Sequence, residues 1–184
     1  MKVVGGYAFK SSGFLDSGIP VLRIGNINTG HFSCTNMVYW QDDPALERYK
    51  VYPNDLVMSL TGTVDKDDYG NVCMLGNEYP IYYLNQRNAK LEIQKLLDKC
   101  YLSELLKFPY MKKQLTKVSR GVRQANISNN DILNLCITVP PIELQERFAI
   151  FIGTVEELKS KIINSLVTHE TLKKSLMQEY FSAR

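Results

Sequence analysis

Histidine and ordered cysteine are nearly missing from this chain. Its 184 residues hold two histidines, His31 and His169, and four cysteines, Cys34, Cys73, Cys100 and Cys136, with no Cys-x-x-Cys pair. That argues against a structural zinc site, which needs four such ligands at close spacing, and leaves a disulfide framework without a pattern to rest on. Reduced, packed thiols are expected instead. No stretch approaches the roughly 18 apolar residues that cross a bilayer. The start, Met1-Lys2-Val3-Val4-Gly5-Gly6, has no signal-peptide apolar run. A cytoplasmic protein with no membrane partner is the expectation. Acidic residues are missing from 105–130, an interval that carries Lys107, Lys112, Lys113, Lys117, Arg120 and Arg123. Asp42, Asp43, Asp55, Asp65, Asp67 and Asp68 crowd the first half, so the net charge of +3 hides a strong segregation. Such a distribution suits one face gripping a polyanion, and equally a solvated basic helix.

Catalytic patterns are also lacking. Val139-Pro140-Pro141-Ile142 has the outline of an amino-methyltransferase motif. It offers no amide or carboxylate for an exocyclic amine and no ring to stack on a flipped base. A nuclease would pair Asp55 with an acidic-x-Lys element, but Glu92-Ile93-Gln94 lacks the lysine. No phosphate-cradling Gly-x-x-x-x-Gly-Lys loop, Gly-x-Ser-x-Gly elbow or Ser-His arrangement is present. Asp65, Asp67 and Asp68 alternate as in a calcium loop, yet Gly70 is displaced and no glutamate completes the set. The expectation is a protein without catalytic residues, metal or cofactor.

The apolar runs at 19–24, 55–60, 71–75 and 79–84 read as short strands, separated by turn residues such as Pro53-Asn54 and Gly76-Asn77. Between Lys99 and Val118 the pattern becomes helical, with a break at Pro109. A short helix is expected over 131–135, capped by Asn129 or Asn130, followed by a strand over 136–139. These elements make an α+β globule with small mixed sheets over residues 1–140.

A different pattern begins at Pro141. From there to Ala183 no proline occurs and Gly153 is the lone glycine, while six acidic and six basic residues balance. Apolar residues recur at Phe148, Phe151, Val155, Leu158, Ile162, Leu166, Leu172, Leu176 and Tyr180, close to a three-four spacing. Residues 141–184 are therefore expected as one long helix with a seam that wants a partner. With Phe148 at heptad position a, Val155, Ile162, His169 and Leu176 share that position, and His169 is the polar exception that would set register. A second copy is the simplest partner, which predicts a homodimer through 148–180.

The segment Ser119-Arg120-Gly121-Val122-Arg123-Gln124-Ala125-Asn126-Ile127-Ser128 follows the basic helix directly. Arginine fits the guanine O6/N7 edge, and glutamine and asparagine fit adenine N6/N7. Serine and main-chain amides hold phosphates, and Gly121 permits close approach. Arg123, Gln124, Asn126, Ser128, Arg120 and Gly121 are the candidate readers of duplex DNA, with Lys112, Lys113 and Lys117 on phosphates. Gln124 and Asn126 could instead satisfy their own loop. A coiled-coil adaptor whose head binds protein is the competing function.

Several pieces, taken in order, resemble one family. Gly6-Tyr7-Ala8-Phe9-Lys10-Ser11, Gly18-Ile19-Pro20-Val21-Leu22-Arg23-Ile24-Gly25-Asn26-Ile27, Asn54-Asp55-Leu56-Val57, Thr61-Gly62-Thr63 and Gly121-Val122-Arg123-Gln124-Ala125-Asn126-Ile127-Ser128 are similar to the target-recognition domain of type I restriction-modification specificity subunits. Val139-Pro140-Pro141-Ile142-Glu143-Leu144-Gln145-Glu146 resembles the start of that family's spacer helix. The resemblance implies a non-catalytic reader of one half of a split DNA target, with methyltransferase and translocase-nuclease subunits docking around paired antiparallel helices. It adds Arg23, Asn26, Thr61 and Thr63 as further DNA-contact candidates. It also implies a half-length subunit or fragment, since the family's usual subunit carries two recognition domains and two helices.

Overall fold

The computed structural model describes residues 1–63, 68–116 and 124–181. Two compact units emerge, Met1–Pro140 and Pro141–Arg184. In chain order the first holds β1 (Lys2–Gly5), β2 (Ile19–Leu22), β3 (Val38–Trp40), β4 (Lys50–Val51), β5 (Leu56–Ser59), β6 (Thr61–Thr63), β7 (Val72–Met74), β8 (Tyr82–Leu84), β9 (Asn88–Glu92), α1 (Lys99–Lys107), α2 (Pro109–Thr116), β10 (Gln124–Asn126) and α3 (Asn129–Leu133). The second is α4 (Ile142–Phe181).

Three sheets result: β1-β9-β5-β7, the two-stranded ribbon β10-β6, and β3-β2-β8-β4. Among the strands of the described residues, every pairing is antiparallel except β2 with β8. Side chains alternate across a strand, and both larger sheets are covered on both faces. On β5, Leu56 and Met58 join a core with Ala89, Leu91, Leu102, Leu106, Leu115, Ile127 and Ile132. Val57, between them, faces a second core with Leu22, Ile27, Cys73, Tyr82 and Leu84. β2 repeats the device, since Leu22 enters that second core while Val21 enters a third with Phe9, Leu46 and Tyr83. Two-sided burial is why these strands read as unbroken apolar runs.

The four expected strands are present as β2, β5, β7 and β8, each trimmed to three or four residues. The helical stretch breaks at Pro109 into α1 and α2. Residues 136–139 form no strand, contrary to expectation. The Tyr101 hydroxyl donates to the Thr138 carbonyl at 2.9 Å and Ile137 packs on the first core, so side chains hold this segment. α3 begins earlier than expected because Ser128, rather than Asn129 or Asn130, is its cap.

α4 runs 40 residues, about 60 Å at 1.5 Å per residue. Among the described residues no helix is long and apolar enough to cross a membrane.

Candidate nucleic-acid interface

The β6–β10 ribbon grows from the first core. Leu60 and Ile127 at its foot are buried, and the Ile127 amide donates to the Leu60 carbonyl at 2.8 Å. Beyond that foot the register sets Thr61 opposite Asn126, Gly62 opposite Ala125 and Thr63 opposite Gln124. Four candidates from two distant segments thereby become neighbours. Thr63 and Asn126 are exposed and Thr61 is half-buried. Neither strand carries an apolar periodicity.

Gly62 is where this ribbon is most constrained. A Cβ there would lie 2.3 Å from Asp68 Oδ1 and 2.7 Å from Tyr69 Cβ. Tyr69 is buried in the first core, and Asp68 Oδ1 accepts from the Thr63 amide at 2.8 Å. The 68–69 segment therefore braces β6 from the side away from β10's main-chain bonds.

Helix α2 buries Met111 and Leu115 and exposes Lys113 and Tyr110. Lys112 is half-buried, and its ammonium donates to Asn71 Oδ1 at 2.5 Å. Asn71 in turn pairs through its main chain with Ser59, one residue before the foot of the ribbon. Lys117, Arg120, Gly121 and Arg123, all named as contacts, lie outside the described residues.

Three candidates have local structural duties. Asn26 is buried; its amide donates to the carbonyls of Ser33 and Thr35 at 3.0 Å, and its Oδ1 accepts from the Arg23 amide at 2.9 Å. The Arg23 guanidinium donates to the Asn36 carbonyl, so it fastens the same loop. Ser128 caps α3: its hydroxyl donates to Asp131 Oδ2 at 2.7 Å and accepts from the Asp131 amide. Asp55, considered above for a nuclease, is spent on the Lys90 ammonium at 2.9 Å and the Tyr52 amide. Among the described residues no group of three His, Cys, Asp or Glu side chains is placed to hold a metal ion.

On α4, Phe148, Phe151, Leu158, Ile162, Leu166, Leu172, Leu176 and Tyr180 are exposed, from 37% at Phe148 to 76% at Tyr180, and Val155 is half-buried. His169 is exposed and its Nδ1 lies 2.7 Å from the Ser165 carbonyl of its own helix. Ile163, Val167, Met177 and Phe181 are also exposed, so the apolar surface is broader than the heptad seam.

A family model described as type I restriction modification DNA specificity domain matches residues 1–168. The chain belongs to this family. Similar members are the type I restriction enzyme MjaVIII specificity subunit of Methanocaldococcus jannaschii, 26% identical over 96% of this chain and 45% of that protein, and the EcoBI specificity subunit of Escherichia coli, 26% identical over 88% of this chain and 32% of that protein. The specificity-domain chain thus spans less than half the length of these curated relatives. Its fold is similar to the HsdS subunit from Thermoanaerobacter tengcongensis, with a TM-score of 0.62 at 15% identity over 99% of this chain and 42% of that one. The S subunit of a type I system from M. genitalium gives 0.60 at 15% identity, over 98% and 43%. The α+β architecture with one long C-terminal helix, expected from the sequence, is the specificity-domain fold.

Proposed function

We propose that this specificity domain binds duplex DNA in a sequence-specific manner and reads one half of a split target, without catalytic residues of its own. The observation that carries the reading is the ribbon register. It sets Thr61 and Thr63 against Asn126 and Gln124 on a core-anchored support, and the acid-free stretch 105–130 leads into it. Asn126 is a side chain whose amide matches an adenine edge, and Lys113 on α2 is an exposed cation for phosphate. In the same reading α4 pairs with α4 of a second copy through the seam from Phe148 to Tyr180, and methyltransferase and translocase-nuclease subunits assemble around that pair. The exposed apolar seam supports the pairing, because several large side chains left in water each forfeit about 1.5–3 kcal/mol.

The test is selection of duplexes from a randomised library, followed by titration of the full chain. Lys113→Ala is expected to weaken selected and random duplexes alike and to lower the slope of log affinity against log salt by about one. Asn126→Ala or Gln124→Ala is expected to relax the preference at one base pair, costing about 1–3 kcal/mol there. If every variant lowers all duplexes uniformly, the base readers are wrongly assigned. A wild-type chain with no affinity for duplex DNA at low salt overturns the whole reading.

A further inference from the structure

The loop between β2 and β3 is built with unusual care for a surface segment. Asn26 ties its far leg from inside, through the Ser33 and Thr35 carbonyls, and Ile27 is fully buried in the second core. Gly30 turns the tip with a φ of 78°, a conformation that favours glycine, and its amide donates to the Ile27 carbonyl at 3.1 Å. The near leg is tied from outside, where Asn71 Nδ2 donates to the Asn28 carbonyl. The other end of the same amide, Asn71 Oδ1, accepts from the Lys112 ammonium. One side chain thus clamps together three segments distant in the chain: the 28–31 tip, the residue leading into β7, and the basic helix α2. What the clamp presents to solvent is Thr29 and His31, both exposed; the Thr29 hydroxyl donates to the His31 carbonyl at 3.3 Å and keeps its lone pairs for a donor, and the His31 ring can hydrogen-bond a base edge or a phosphate.

We propose that the 28–31 tip is a second DNA-contacting element beside the ribbon, with Thr29 and His31 as its contact side chains and Asn71 as the positioning residue that holds it against α2. The inference rests on the DNA-reading proposal above and extends it to a segment that composition and charge do not mark. A tip fixed on both legs presents its side chains in one geometry, which binding to a rigid duplex rewards, because the ordering cost is met in folding. Asn71 reaches DNA through other residues and is therefore a positioning residue rather than a contact.

Two substitutions at one site separate the bond to Asn28 from the bond to Lys112. Asn71→Ala loses both; Asn71→Asp keeps an acceptor for Lys112 and loses the donor to Asn28. Neither alters the main-chain pairing of Asn71 with Ser59. Duplexes enriched by the wild-type full chain from a randomised library serve as the probe. Both variants are expected to lose enrichment at the same base pairs that Thr29→Ala and His31→Ala lose, by about tenfold at the affected position. The proposal is overturned if Thr29→Ala and His31→Ala select the same duplexes as wild type. It is also overturned if Asn71→Asp selects as wild type does while Asn71→Ala does not, because the Lys112 bond alone would then matter. A wild-type chain that enriches no duplex would instead count against DNA reading itself. Thermal melting of each variant separates lost readout from lost folding.

Discussion

Asn26 illustrates why single residues mislead. An asparagine amide that fits adenine also fits two carbonyls and an amide of its own loop, and sequence does not say which partner is nearer. Here the buried amide bonds the loop. Replacing it by alanine strands the Ser33 and Thr35 carbonyls and the Arg23 amide, so urea unfolding of Asn26→Ala is expected to show a loss of about 1–3 kcal/mol. A loss below about 0.5 kcal/mol would mean that water substitutes for the amide. Cys73 carries a pH-dependent counterpart. Burial in the second core pushes its thiol up to about 12, against about 9 when unfolded. The folded state thus favours the protonated thiol, and its contribution is complete below about pH 9 and lost as pH rises toward 12. At pH 8, brief alkylation read by mass spectrometry should label exposed Cys136 and spare Cys73. Labelling of Cys73 at a matching rate would contradict its burial.

At the scale of elements, legibility followed core contact. β2, β5, β7 and β8 show in the sequence because each supplies apolar side chains to a packed layer, and Pro109 marks the division of α1 from α2. β1, β4, β6, β9 and β10 do not show. Their sequences (KVVG, KV, TGT, NAKLE and QAN) have too few apolar residues for a period, and partners distant in the chain define them. The ribbon at the candidate interface belongs to this unreadable class. The sequence shows only its residues, Thr61 and Thr63 in one place and Gln124 and Asn126 in another, and their adjacency is a tertiary fact. Gly62 gives that adjacency a test. In Gly62→Ala the new methyl group meets Tyr69 Cβ, which is fixed by the core, and overpacking of this kind costs about 1–3 kcal/mol. Denaturant unfolding should show that loss together with weaker duplex selection. Unchanged stability would mean that the 68–69 brace gives way.

For the whole molecule, the pairing of α4 with a second copy predicts that Ile162→Asp with Leu166→Asp yields a monomer whose first unit keeps its melting transition. Light scattering of the unmutated chain at tens of micromolar should report a dimer, and a monomer there would end that proposal. His169 sits at a heptad position, and its Nδ1 lies 2.7 Å from the Ser165 carbonyl of its own helix. The long helix was legible in full because its period is local. The first unit was legible only in part because its closure is not.

That closure has a consequence during synthesis. β1 pairs residue by residue with β9, from Lys2 against Glu92 to Gly5 against Ala89. β9 is also the strand that joins β1 to β5. At about 5–20 residues per second, Val3 and Val4 wait on the order of ten seconds after leaving the ribosome before any partner strand exists. For that interval β1 is an unpaired apolar segment, and a pause in translation ahead of Asn88 prolongs it. The specificity domain is therefore open to misassociation between the synthesis of β1 and that of β9.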